Sequence, residues 1–219
     1  SAGMPFSSSS LCVSFSYFSA CLFFFSLRLP SSTNTHICRP NIHHNIIRTG
    51  GSSGVSAHNA ASGCCVRGNN ITANAVAGVE TEAAADMLVD GNTIAVNEVA
   101  GILCHSGSLG RFTANDVHHN VAAGVETKGE GSAPNMKGNN VHHHAVVGIN
   151  VHSGAGGVFK ANTIVSQSSV GVRVATGANP TFDGNTVDAA ACCASGEATE
   201  GIVVEECGQG VYCGNKLLS

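Results

Sequence analysis

The chain has no tryptophan, few charges and very little leucine outside its N-terminal stretch. Each shortage excludes something. Charged residues make up 11% of the chain and the formal net charge is −4, so the basic patch that a nucleic-acid binder presents is missing. A leucine-rich repeat needs several leucines per unit in L-x-x-L-x-L spacing, and the region after residue 36 has almost none. No C-x-x-C pair occurs, and the Cys and His residues do not take finger spacing, so no metal module is expected. A phosphate loop and an HExxH helix are absent as well. Disorder is disfavoured for most of the chain because 43% of it is hydrophobic.

Val, Ile, Thr, Asn and Gly dominate what is there, with 27 glycines in 219 residues. That mixture favours short strands joined by tight turns. The length suits one domain, or one domain with a short extension.

Residues 1–36 differ from the remainder. The run from Leu11 to Leu29 is rich in Phe and Ser. A signal peptide places positive charge before its apolar stretch, whereas the first basic residue here, Arg28, comes after it. Ser14, Ser16, Ser19 and Ser26 also weaken a membrane span. Three readings stay open: a strand-forming cap on the end of the fold, a signal or anchor, and a segment foreign to it. The first keeps a cytoplasmic location slightly favoured, and the second implies secretion or a membrane.

Ten cysteines are present, but Cys64-Cys65 and Cys192-Cys193 are adjacent pairs and no framework spacing appears. They are expected to be mostly reduced, buried thiols that behave as small hydrophobes.

Internal repetition decides the fold. Gly68-Asn69-Asn70-Ile71-Thr72-Ala73-Asn74 closes with Gly78-Val79, and the pattern returns as Gly91-Asn92-Thr93-Ile94-Ala95-Val96-Asn97 with Gly101-Ile102. The leading asparagines 69, 92, 115, 139, 162 and 185 stand 23 or 24 residues apart. Three apolar columns accompany them. One runs Ile42, Ile71, Ile94, Val117, Val141, Ile164 and Val187. A second follows the glycine, as in Val79, Ile102 and Val125, with Thr81, Cys104 and Thr127 two residues on. A third lies three residues before the leading Asn, as in Val66, Val89, Phe112, Met136, Phe159 and Phe182. Each unit therefore holds three short strands with inward residues at strand spacing. The expected fold is all-β: a parallel β-helix solenoid over residues 37–219, of about seven coils of about 23 residues. In this alignment Ile42 and Asn45 extend the pattern upstream with an insertion near Gly50-Gly51, and a second insertion falls near Cys192 to Thr199. The Asn column is expected to tolerate left-handed turns and to bond up the ladder, and the Gly column to allow the corner.

The motif G-N-x-I-x-x-N-x-x-x-G-I/V resembles the repeats of the large right-handed β-helix family. That family includes periplasmic copper-processing proteins, carbohydrate-active lyases and epimerases, and the substrate-binding region of F-box β-helix proteins. The resemblance covers residues 37–219, implies the right-handed sense, and says little about activity. Lyases of the family place acids around calcium.

Asp86, Asp90, Asp116, Asp183 and Asp188 do not share a column on adjacent coils, and Asp90 and Asp183 precede turn Gly-Asn pairs, where Asp is ordinary. The most chemical surface follows the glycine. One outward column reads Glu80, Leu103, Glu126, Asn150, Arg173 and Val203, and the next reads Glu82, His105, Lys128, His152, Ala175 and Glu205. Glu126, Lys128, Asn150, His152 and Arg173 are thus expected on one lateral face within three coils, as a wall able to contact a sugar chain or a peptide. The plainer reading is a solvated sheet face. His118 should stack on His142 and His119 on His143, about 4.8 Å apart. A shared metal is conceivable there, with Asp116 the one nearby acid, but the reading assigns no metal site and no cofactor. His144 occupies an Asn slot, which makes a turn role the simpler one.

The expected function is a scaffold that binds a protein or polysaccharide partner along this face, more consistent with binding than with catalysis. The alternatives are a β-helix polysaccharide lyase, epimerase or hydrolase, and a structural or adhesive surface protein. Nucleic acid is not an expected partner. Ligand identity and oligomeric state are not readable from the residues.

Overall fold

A computed structural model describes residues 40–58, 63–165, 170–188 and 200–218, together with the strands Ser14–Phe15 and Phe25–Leu27. The described chain winds as a parallel β-helix with three sheets of nine, eight and eight strands, every pairing parallel. One coil runs Leu88–Asp90, Thr93–Ala95 and Ala100–His105, contributing in turn to a first, a second and a third sheet. From Asn41–His43 to Glu200–Val204 the strands form seven such triplets, and Val211–Cys213 with Lys216–Leu218 begin another.

Short strands are stable here because each stacks in register on its homologue. Phe112 pairs with Val89 and Met136, Ile94 with Ile71 and Val117, and Ile102 with Val79 and Val125. All are buried. One coil cannot remove its own apolar stripe from water, so the interface between neighbours carries the stability. Phe159 and Phe182 stack at 4.6 Å and 11°, and Tyr212 continues the pile at 5.8 Å from Phe182. Fully burying a ring of this kind contributes about 1.5–3 kcal/mol. Cys104 sits in the same interior at 0% exposure, where burial pushes its thiol up to about 12 despite contacts with Thr81 and Ser108. It is a packing residue there, as its column implies.

Two corner devices recur. The leading asparagines form a continuous buried ladder: the main-chain and side-chain N–H groups of Asn69 donate to Asn92 Oδ1, those of Asn92 to Asn115 Oδ1, and those of Asn115 to Asn139 Oδ1, at 2.9–3.0 Å. Each amide also caps a carbonyl of the strand behind it, as Asn115 Nδ2 does with Val89 O. The left-handed residues are those just before the asparagines, among them Gly68, Gly91, Ala114, Gly138 and Ala161. This corrects the expectation that Asn itself adopts the left-handed turn; its job is the ladder alone. The glycine column is corrected too. Gly101 is not left-handed, but a Cβ there would lie 2.4 Å from Val117 Cγ1, 2.7 Å from Asn120 Nδ2 and 2.8 Å from Gly124 O. The glycine is required by closeness to the next coil. Gly101→Ala should therefore lower stability by about 2–3 kcal/mol, the cost of overpacking a rigid interior, measured as a shift in the urea midpoint. A neutral result would mean that the coils can separate locally at no cost.

The first coil is aligned differently from the sequence expectation. Ile42 pairs with Val66, and it is Ile47 that stacks on Ile71. Asn45 donates to Asn69 Oδ1 and so heads the leading ladder, while Gly50 N donates to Asn74 Oδ1 in the second one. With this register no insertion is needed near Gly50. The insertion expected near Cys192 to Thr199 lies outside the described residues, although the ladder step from Asn185 to Asn215 spans 30 residues.

Most of residues 1–36 is outside the described residues, as are Cys192 and Cys193. Within that segment, Ser14–Phe15 pairs with Asn41–His43 and Phe25–Leu27 with Val55–Ala57, at the N-terminal edges of two sheets. Among the described residues no helix is long and apolar enough to cross a membrane.

Candidate functional site on the third sheet

The third sheet has the longest strands, six residues in Ala77–Glu82, Ala100–His105, Ala123–Lys128 and Val147–His152. Alternation sends Val125 and Thr127 inward and Glu126 and Lys128 outward. In register, Glu126 faces Asn150, Lys128 faces His152, and Asn150 faces Arg173. The five expected residues therefore do lie on one face across three adjacent strands.

They are not equally engaged. Glu126 Oε1 accepts from Lys128 Nζ at 3.1 Å and lies 3.2 Å from His152 Nε2. His152 Nδ1 is 2.9 Å from Ser153 Oγ, which orients the ring. These three form one cluster. Arg173 turns away to pair with Glu205 on the following coil. Asn150 Oδ1 is buried and has no hydrogen-bond partner among the described residues. Along one margin runs a covered aliphatic ledge of Ala77, Ala100, Ala123 and Val147, with Leu103 joining it at 6% exposure. Leu103 thus interrupts the polar column for packing reasons.

The same contact appears two coils earlier, and sequence reasoning did not single it out. His105 Nε2 lies 2.9 Å from Glu80 Oε1 and 3.7 Å from Glu82 Oε2, with His105 Nδ1 2.9 Å from Ser106 Oγ. Ser53 Oγ donates to Glu80 Oε2 at 2.7 Å, and His58 Nδ1 pairs with Glu82. Burial raises the Glu80 carboxyl, but the Ser53 and His105 hydrogen bonds and the two imidazole charges outweigh it and hold Glu80 below the usual carboxylate range. A signal existed: the strands read AGVETE at 77–82 and AGVETK at 123–128, each followed one coil later by a strand ending in His.

On the second sheet the histidines stack as expected, His118 on His142 and His119 on His143, both at 5.1 Å. Asp116 Oδ1 takes His142 Nε2 at 2.9 Å. Burial comes first in drawing down the His118 imidazole, partly opposed by Asp116 and reinforced by its histidine neighbours. His144 does fill an asparagine slot, with Nδ1 accepting from Asn120 N and Nε2 donating to Val117 O.

Comparison with known proteins agrees with this architecture. A family model described as "Right handed beta helix region" matches residues 31–187. No curated protein matches the chain. Among solved structures, the periplasmic alginate epimerase AlgG superposes with a TM-score of 0.64 at 13% identity, over 82% of this chain. The chain spans 44% of that protein. At such identity the likeness is one of fold.

Proposed function

Since the chain belongs to the right-handed β-helix family, in which every coil repeats the same outward positions, we propose that it binds a polysaccharide along the outer face of its third sheet and does not transform it. The observation that carries this is the in-register stacking of Glu126, Lys128, Asn150, His152 and Arg173 over three strands. An extended polymer lying along the axis meets a fresh polar row at each coil, about every 4.8 Å. Lys128, 39% exposed beside Glu126, supplies a cationic group for a carboxylate. The structural neighbour being an alginate epimerase supports a uronate polymer as the first ligand to try.

The test is affinity electrophoresis against alginate, polygalacturonate and a neutral glucan. Combined Glu126→Ala, Lys128→Ala, His152→Ala and Arg173→Ala should abolish retardation by the polymer that retards the parent. Unchanged retardation overturns the assignment to this face. A second reading, catalysis on the same polymer, is favoured by the Glu126–His152 contact, which places a carboxylate beside a candidate proton-transfer group. Unsaturated products or new reducing ends in the same mixtures would select it over simple binding.

A further inference from the structure

We propose that Glu80, Glu82 and His105 bind one divalent first-row transition-metal ion on the third sheet, with His58 of the preceding coil supporting Glu82. This departs from the sequence reading, which assigns no metal site, and it is independent of the polysaccharide reading.

The geometry comes first. One ligand atom from each of Glu80, Glu82 and His105 lies within 4.8 Å of the others. His105 Nε2 faces both carboxylates, and Ser106 Oγ holds its other nitrogen. The hydrogen bond on the far nitrogen fixes a ligating imidazole in this way. His58 is held likewise: its Nε2 is 2.6 Å from Ser56 Oγ, and its Nδ1 contacts Glu82. The side chains are recessed, with 16% exposure for Glu80 and His58, 19% for His105 and 32% for Glu82. Two carboxylates so close and so little hydrated repel each other unless positive charge lies between them.

The protein contains its own reference for that positive charge. Strand Ala123–Lys128 has the sequence of Ala77–Glu82 except that Lys128 stands where Glu82 does. His152 repeats His105, and Glu126 repeats Glu80. In the later copy the ammonium of Lys128 sits 3.1 Å from Glu126, beside His152. Leaving the imidazoles of both copies aside, Glu126 and Lys128 sum to zero charge, whereas Glu80 and Glu82 sum to −2. A divalent cation restores the balance that lysine provides two coils on. Mixed imidazole and carboxylate donors suit zinc and its first-row neighbours, whereas calcium prefers oxygen alone.

The experiment is calorimetric titration of the chelator-stripped full chain with Zn²⁺, followed by Co²⁺ absorption spectroscopy. One saturable ion per chain is expected, with ligand-field bands and no thiolate charge-transfer band, which sets this site apart from any cysteine site. Glu82→Lys installs the strand sequence that the protein already folds two coils later, so it should keep the parent circular dichroism while weakening Zn²⁺ at least ~100-fold, since loss of a direct ligand exceeds loss of a supporting contact. Lys128→Glu should add a second ion. Absence of saturable uptake, a thiolate band, or affinity unchanged by Glu82→Lys each overturns the proposal. A stoichiometry left at one by Lys128→Glu overturns the equivalence of the lysine and the ion.

Discussion

Replacing Asn115 by alanine should cost about 3–5 kcal/mol, among the largest effects available to a single polar residue in this chain. Asn115 is 1% exposed. Its Oδ1 accepts both the main-chain and the side-chain N–H of Asn92, and its Nδ2 donates to Val89 O and Asn139 Oδ1. Truncation leaves the Asn92 main-chain N–H without its acceptor and weakens three further groups, Asn92 Nδ2, Val89 O and Asn139 Oδ1, in an interior that water cannot reach. A buried group left unpaired costs roughly 1–3 kcal/mol, more than the bond itself contributes. Asn45 provides the comparison. It heads the ladder and is only part-buried, donating to Asn69 Oδ1 and to His43 O. Asn45→Ala should cost about 1 kcal/mol. Urea midpoints of the two variants decide the matter, and equal small costs would show that the ladder fills space without holding the coils together.

The second large effect is acid sensitivity centred on His144. Burial, joined by the His142 and His118 charges and only partly opposed by hydrogen bonds to Val117 and Asn120, depresses this imidazole from 6.5 to about 4. The unfolded chain binds the proton near 6.5, the folded chain only near 4, so stability is complete above pH 6.5 and falls as pH drops through that window. The loss reaches about 2 kcal/mol by pH 5 and about 3 kcal/mol by pH 4. His118 and His143 are depressed as well, burial first in each case, so they act with the same sign. His144→Asn restores the residue type found at Asn74, Asn97 and Asn120. That variant should lose far less stability between pH 7 and pH 5 than the parent. Parallel pH profiles of the two proteins would remove His144 as the cause.

Much of the solenoid was legible because the same side chain recurs in the same place: Ile71, Ile94 and Val117 could not all be inward unless the coils were in register. The first coil was not legible, and the reason is specific. Val66-x-x-Asn69 at one corner and Ile71-x-x-Asn74 at the next share the same spacing, so Ile42-x-x-Asn45 fits either. Gly50, which occupies the second ladder slot in that coil, has no side chain to break the tie. The lateral face was partly legible. Register placed Glu126, Lys128, Asn150, His152 and Arg173 together, but only contacts show that Glu126, Lys128 and His152 form a unit while Arg173 belongs to Glu205. The Glu80–His105 contact is not legible because it is diagonal, joining two columns across one coil, whereas spacing in the sequence shows only which residues share a column.

Because each coil is held by the ones directly above and below it, influence in this molecule passes in series. Glu80 and Arg173 share no layer, and a disturbance at one reaches the other only after crossing every intervening pair of strands. A rod of this kind is poorly suited to long-distance signalling and well suited to local change: an alteration in one coil is felt first by the two coils stacked against it.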